Sequence, residues 1–286
     1  MSIRKIVVPL IGAGSDAKAL ATGFQIAKAE GAHVDGVYLR PDPADAVPYV
    51  GDAASAAIIE DLYEATKAAA DAASALAKAA LERTAAKAGV PLVTEIGSGP
   101  RPSARFIDKM GSVAKVVIAK ARLADLVVCA EVNANPPILA AFEAALIGAR
   151  RPVLIAPKAE GTPIGTCAVI AWNGSTEAAQ AVSNALPFLK KAQRVTVLAG
   201  DSEDMEPAPA KALCAYLGLH GIASEAESFQ TKGKPVGAAI LDRAEALKAD
   251  LIVMGGYGHS RLREFILGGV TRHMLQNAGM AILLAH

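Results

Sequence analysis

The sequence predicts an α/β protein built as two tandem, doubly wound, open parallel sheets. Three observations predict it. Apolar runs of four to seven residues alternate with helical patterns, as buried parallel strands joined by crossover helices do. The run Ala124-Asp125-Leu126-Val127-Val128-Cys129 returns 125 residues later as Ala249-Asp250-Leu251-Ile252-Val253-Met254. With 52% hydrophobic and 20% charged residues the chain can bury a substantial core. Only 4% of it is aromatic, and alanine is abundant, which favours helices packed on sheets through small side chains over a β-sandwich.

In chain order, the first half opens with a strand at Ile6-Val7-Val8, a helix over 16–30 and a second strand over 34–39. An alanine-rich helix over 53–88 follows, since alanine lowers the cost of helix at every turn, and Gly89 then Pro91 stop it. The Ala124 run and Pro152-Val153-Leu154-Ile155-Ala156 supply the last strands of this half. Residues 157–165, with two prolines and two glycines, read as a linker. The second half repeats the order: a strand at Ala168-Val169-Ile170, a helix over 176–191, a strand over 195–199, the Ala249 run, and Ala281-Ile282-Leu283-Leu284-Ala285. Domains are therefore expected at 1–157 and 166–286, each of about five strands.

A formal net charge of +1 advertises neither nucleic acid nor membrane binding. Three cysteines (Cys129, Cys167 and Cys214), odd in number and widely spaced, form neither a disulfide framework nor a zinc pattern. The N-terminus runs straight into an apolar strand without a signal-peptide layout, and no run of about 18 apolar residues offers a membrane span. The expectation is a cytoplasmic protein.

Doubly wound sheets bind ligands beyond the carboxyl ends of their strands. The informative loop follows Val253-Met254 and reads Gly255-Gly256-Tyr257-Gly258-His259-Ser260, an amphipathic helix over 261–267, then Gly268-Gly269-Val270-Thr271-Arg272. Glycines at 255 and 258 are expected to allow positive φ and close backbone approach. Consecutive amides there can form an anion-binding concavity. Gly268 and Gly269 leave a second stretch of backbone uncovered, and a helix starting near Thr271 aims its N-terminus at the same anion. Arg272 adds charge.

This spacing carries a resemblance. Gly255-x-x-Gly258-x9-Gly268, after a strand ending in Met254, resembles the ATP-binding signature of the universal stress protein family, G-x2-G-x9-G followed by Ser or Thr. Here Gly269 stands in the last position and the nearest hydroxyl is Thr271, so the phosphate contact passes to amides or to Thr271. The resemblance spans both halves and implies a tandem universal stress protein, with two five-stranded, Rossmann-like domains of the adenine nucleotide alpha hydrolase-like kind. In the family, the turn after the first strand lies near the adenosine. Its counterparts here are Ala171, Trp172 and Asn173, and Asn173 can both donate and accept. Ala199 and Gly200, at the end of the second strand, would flank the adenine.

The first half departs from that pattern. After Cys129 it reads Ala130-Glu131-Val132-Asn133-Ala134-Asn135-Pro136-Pro137, with no glycine pair at the required spacing. From the Ala-Asp-Leu landmark to the final strand it has 28 residues (124 to 152), against 32 (249 to 281) in the second half. Glu131 would repel a phosphate. This half is expected to bind no nucleotide and to act as a packing or regulatory partner.

Competing motifs are weaker. Gly12-Ala13-Gly14-Ser15-Asp16-Ala17 fits a dinucleotide fingerprint, and Arg40 suggests a 2′-phosphate, but Pro9 is awkward in a central strand and no substrate domain follows. A strand-to-helix turn is the better reading of Gly12 and Gly14. His259 and Ser260 have no carboxylate placed to orient the histidine and no G-x-S-x-G elbow. Gly233-Lys234-Pro235 lacks the rest of a phosphate-binding P-loop. No catalytic residue and no protein metal site are named by the chain.

The resemblance thus implies a stress-response regulator that binds ATP, or ADP or AMP, with Mg2+ as an accompanying ion, and with slow hydrolysis at most. It also implies assembly through final strands, so that 153–156 and 282–285 pair within one chain and hide each other's edges. A homodimer and an unidentified protein partner are compatible with it. A nucleotide-free interaction protein of the same fold, and an NAD(P)-dependent enzyme using Gly12 and Gly14, are the alternatives.

Overall fold

The computed structural model describes residues 2–43, 56–200, 210–231, 233–256 and 268–286. The chain folds as two compact units, Ile3–Ala149 and Arg150–His286. The first contains β1 (Lys5–Leu10), α1 (Ser15–Glu30), β2 (His33–Arg40), α2 (Ala56–Ala88), β3 (Ser103–Met110), α3 (Val113–Ala121), β4 (Leu126–Cys129) and α4 (Pro136–Glu143). Its strands lie in the order β3-β2-β1-β4, all parallel. The start expected for α2, residues 53–55, lies outside the described residues.

The second unit contains β5 (Val153–Ile155), β6 (Cys167–Trp172), α5 (Thr176–Leu189), β7 (Arg194–Gly200), α6 (Ala210–Leu219), β8 (Glu225–Phe229), α7 (Val236–Ala246), β9 (Leu251–Gly255), α8 (Gly269–Asn277) and β10 (Ala281–Ala285). Their order is β5-β10-β9-β6-β7-β8. Strands β6 to β10 run parallel, whereas β5 pairs antiparallel with β10, Leu154 opposite Leu283. The two final strands thus pair edge to edge within one chain, as the resemblance implies. β5, which closes the first half of the sequence, folds as part of the second compact unit. Among the described residues, no helix is long and apolar enough to cross a membrane.

Strand alternation decides which face each helix covers. In the first unit, a side chain on Gly23 of α1 would meet Val8, Ile6 and Val34, and one on Gly36 of β2 would strike Leu81 of α2. Both helices therefore pack on the face that carries Ile6, Val8 and Leu10. These three side chains are fully buried, and such residues contribute about 1.5–3 kcal/mol each to the core.

The repeated Ala-Asp landmark has one geometry in both units. Asp125, just before β4, accepts hydrogen bonds from the amides of Arg4 (2.8 Å) and Lys5 (2.9 Å) at the start of β1. Asp250, just before β9, accepts from Gly165 (2.8 Å), Thr166 (3.0 Å) and Cys167 (3.2 Å) at the start of β6. In return the aspartate amide donates to the carbonyl of Lys5 or of Cys167, at 2.9 Å in each case. Each clasp joins the two strands between which the strand order reverses, β1 with β4 and β6 with β9.

A buried charge cluster spans the amino ends of β1, β2 and β3. Asp35 is fully buried and meets Lys5 Nζ at 3.1 Å, Arg105 Nε at 3.0 Å and His33 Nε2 at 3.1 Å. His33 Nδ1 lies 2.8 Å from the hydroxyl of Ser103. Burial pushes the Asp35 carboxyl upward. The hydrogen bonds from His33 and Lys5, with the charges of Lys5 and Arg105, outweigh that and hold it well below the usual carboxylate range.

Two outcomes follow. Asp250→Ala removes a charged acceptor from three amides and is expected to destabilise the second unit by about 3 kcal/mol in denaturant unfolding; a loss under about 0.5 kcal/mol would show that solvent replaces the clasp. Because Asp35 has a lowered pKa, its stabilisation is complete above the unfolded carboxylate value, about 3.9, and drains away below it. Asp35→Asn should therefore lower stability at pH 7 and flatten the fall in stability between about pH 4 and pH 2. An unchanged acid slope in that variant would assign the acid sensitivity to other carboxylates.

Candidate functional site

The candidate site lies at the carboxyl edge of the second unit's parallel strands. Register places its parts level: Ala171 of β6 pairs with Met254 of β9, and Trp172 pairs with Ala199 of β7. Ala171, Trp172, Ala199, Gly200, Met254 and Gly255 thus share one edge, centred on the β6–β9 reversal where open α/β sheets present a crevice. Met254 is buried, Ala171, Trp172 and Ala199 are half-buried, and Gly200 is exposed beside the ring of Phe229. Tyr257, Gly258, His259, Ser260 and the helix expected over 261–267 lie outside the described residues.

The β6–α5 turn is built from local polar contacts. Asn173 Oδ1 accepts from the amide of Ser175 at 3.1 Å, Gly174 takes a left-handed φ of 74°, and Ser175 Oγ caps α5 by accepting from Ala178 N at 3.1 Å. One lone pair of the Asn173 oxygen is thereby engaged; the other, and the NH2, are what it can offer a ligand.

The glycines differ in what surrounds them. Gly255 does not adopt the positive φ expected of it; it ends β9 in extended backbone. A Cβ there would stand 2.7 Å from Ala178 N and 2.8 Å from Glu177 C, so this position is glycine because the first turn of α5 packs on it. Gly268 and Gly269 have open space where a Cβ would point. Gly268 is the N-cap of α8 with no side-chain cap, and the helix begins at Gly269, two residues earlier than expected. Since α8 leads into the amino end of β10, its N-terminus faces the carboxyl edge. The amides of Gly269, Val270 and Thr271 belong to its first turn, which carries about half a positive charge. Arg272 is exposed. Thr271 is 4% exposed, so its hydroxyl is held inside the packing and amides dominate the donor set.

Sequence reasoning missed the supports. A Cβ on Gly237 of α7 would meet His273 Cβ at 3.0 Å, so this glycine lets α7 and α8 pack closely. His286 Nδ1 donates to the Gly256 carbonyl at 3.1 Å, and Gly256 N donates to Ala285 O at 2.9 Å, which ties the loop's first residue to the end of β10. Only backbone proximity reveals either role.

At the same edge of the first unit, amides and charges are already occupied. Asp16 accepts from Gly12 N at 2.8 Å and Ile11 N at 3.2 Å, while burial raises its pKa against those bonds. Gly12 has φ 78°, and a Cβ on it would strike the Ala73 carbonyl of α2 at 2.4 Å. Arg40 is held by Asp108 (2.6 Å) and Asp71 (2.6 Å). These contacts oppose a dinucleotide reading of Gly12, Gly14 and Arg40. Glu131, which occupies the position of Gly256 in the repeat, pairs with Lys18 at 2.6 Å. Cys129 is fully buried and its thiol is pushed up to about 12, so it is a core residue and not a nucleophile. Among the described residues, no group of three His, Cys, Asp or Glu side chains could hold a metal ion.

Comparison with known proteins finds a sequence match for the second unit and a fold match for the whole chain. Residues 168–286 match the sequence model of the universal stress protein family and form a domain of that family. The fold of the chain is similar to a universal stress protein from Archaeoglobus fulgidus DSM 4304, at 14% identity and a TM-score of 0.66, covering 99% of this chain and 96% of that one. It is also similar to a functionally unknown protein from Pseudomonas aeruginosa PAO1, at 16% identity and a TM-score of 0.55, covering 99% and 92%. At these identities the likeness concerns the fold. No curated protein matches the chain in sequence.

The two kinds of glycine separate by stability. Gly255→Ala should destabilise the second unit by about 1–3 kcal/mol, since backbone atoms must move, while Gly268→Ala should stay within about 0.5 kcal/mol of wild type. Denaturant unfolding of both variants measures the contrast; equal losses would contradict the open N-terminus of α8.

Proposed function

We propose, taking residues 168–286 as a universal stress protein domain, that this domain binds an adenine nucleotide, ATP or its ADP or AMP relatives, and that the chain acts as a nucleotide-dependent regulator in stress response. One observation carries the reading: the uncapped first turn of α8, opened by Gly268 and Gly269, at the carboxyl edge of the sheet. A helix N-terminus whose amides stand clear of side chains is suited to phosphate oxygens. Arg272 and the loop containing Gly258 would complete the phosphate contacts, and Asn173, Trp172, Ala171, Ala199 and Gly200 would surround the nucleoside. Mg2+ would arrive with the phosphates. Binding, and not turnover, is the purpose we assign.

We read the first unit as a second copy of the same domain that has lost its ligand. Its loop amides serve Asp16, its glycine turn lies under α2, and Glu131 with Lys18 stands where the second unit has glycine. A phosphate there would compete with two carboxylates.

Mass spectrometry of small molecules released on denaturing the purified protein, followed by ATP titration of the emptied chain, tests both statements. One adenine nucleotide per chain is expected, with binding abolished in Gly258→Val and in Gly268→Val, whose side chains would block approach to the backbone. Absence of both retained nucleotide and ATP binding at millimolar concentration would overturn the proposal. Two nucleotides per chain would overturn the account of the first unit alone.

A further inference from the structure

The buried cluster at the amino ends of β1, β2 and β3 holds a serine, a histidine and an aspartate in one line. Ser103 Oγ lies 2.8 Å from His33 Nδ1, and His33 Nε2 lies 3.1 Å from Asp35 Oδ1. Strand register sets the line. Lys5, His33 and Ser103 are level across the three strands, and Asp35 is level with Arg105. Residues two apart along a strand share a face, so all five side chains stand on one side of the sheet.

The partners fix where the protons sit. Asp35 is held ionised by its neighbours and can only accept a hydrogen bond. The neutral imidazole therefore carries its proton on Nε2 and presents the lone pair of Nδ1 to the Ser103 hydroxyl. In that arrangement a histidine can take a hydroxyl proton while a buried carboxylate fixes its tautomer. The two ring nitrogens have exchanged places relative to the serine protease triad, which leaves the proton path intact. Ser103 itself is half-buried and begins the outermost strand directly after residues 94–101, all of them exposed.

The fold does not require this cluster. The clasps make Lys5 the counterpart of Cys167, so Arg194 and Thr196 of β7 occupy the places of His33 and Asp35. Thr196 is buried like Asp35 and carries no charge. A buried carboxylate with its cations bears a desolvation cost that a hydroxyl or apolar side chain avoids.

We propose that Ser103 is a nucleophile for acyl transfer from small activated carboxylic esters, with His33 as its general base and Asp35 as a positioning residue. Ser103 Oγ attacks the ester carbonyl carbon as its proton passes to His33 Nδ1. The bond to the leaving oxygen breaks, that oxygen takes the proton back from Nδ1, and Ser103 retains the acyl group as an ester. Water, deprotonated by His33, then releases the carboxylic acid. Lys5 and Arg105, both part-exposed, place positive charge on the same face and favour the negative charge that develops on the carbonyl oxygen. The activity belongs to the first unit and does not rest on the nucleotide reading of the second.

Reaction of the full chain with p-nitrophenyl acetate tests it, with nitrophenolate followed by stopped flow and the acetyl group located by peptide mass spectrometry. A burst of about one nitrophenolate per chain is expected, with acetyl on Ser103. Ser103→Ala should abolish the burst. His33→Gln can hydrogen-bond to both neighbours but takes up no proton, and should slow acylation about a hundredfold or more. An unchanged unfolding midpoint shows that each variant is folded. Ser103→Ala removes only a hydroxyl from a half-buried position, so it decides the matter even if His33→Gln does not fold. Acetyl found only on other side chains, or a burst that persists in Ser103→Ala, would overturn the proposal. Acylation of Ser103 at the wild-type rate in folded His33→Gln would overturn it too, since the hydroxyl would then react without its base.

Discussion

An aspartate at the foot of the fourth parallel strand holds each unit in register. Asp125 and Asp250 each tie the amino end of that strand to the amino end of the first strand, through amides that would otherwise lack a partner at the sheet's lower edge. The pair joined is the pair at which the strand order reverses. Once the lower ends are fixed, the pleat determines where the upper ends fall, and Ala171 comes level with Met254. A slip of one residue would turn every side chain of these strands to the opposite face. The carboxyl-edge crevice therefore depends on a carboxylate at the other end of the strands.

The same backbone frame carries two different edges. In the first unit, large side chains and ion pairs close it: Leu10 with Tyr38, Asp16 on the loop amides, and Glu131 with Lys18. In the second, Ala199, Gly256, Gly268 and Gly269 stand at or near the corresponding edge. Volume and charge at a handful of positions separate the two, with no change of topology among the parallel strands. The buried Asp35 cluster marks a further asymmetry. It places three basic side chains around one carboxylate at the amino end of the first unit, where the second unit has Cys167 in place of Lys5.

Much of this architecture was legible in the sequence, because buried parallel strands are apolar on both faces and stand out as unbroken runs. β1, β4, β5, β6, β9 and β10 coincide with such runs, and β2 and β7 with runs broken only by Asp35 and Gly36 and by Thr196. β3 and β8 were not legible by residue. They are edge strands, Ser103–Met110 and Glu225–Phe229, and their charged side chains carry no apolar signal. Nor could the sequence show that β5 would fold with the second unit, since apolar character does not say which neighbour a strand will take. At the candidate site, the edge positions of β6, β7 and β9 could be read from strand ends, whereas the burial of Thr271 depends on packing from distant elements.

Glycine illustrates where sequence reading stops. Gly12 and Gly255 both follow an apolar run and both suit a phosphate motif, yet each is glycine because protein backbone occupies the place of its side chain. Gly268 and Gly269 face open space. The spacing of glycines in a chain records where side chains are absent; it does not record whether a helix or a ligand takes the room. A glycine pressed against a helix is a packing residue whose replacement costs stability. A glycine with nothing opposite it has no such reason to lack a side chain, and its replacement by alanine in the first turn of a helix would ordinarily favour the fold. Gly269, inside the first turn, forgoes that gain, whereas at the N-cap Gly268 glycine already outranks alanine, and together they leave the first amides of the helix uncovered at the carboxyl edge of the sheet.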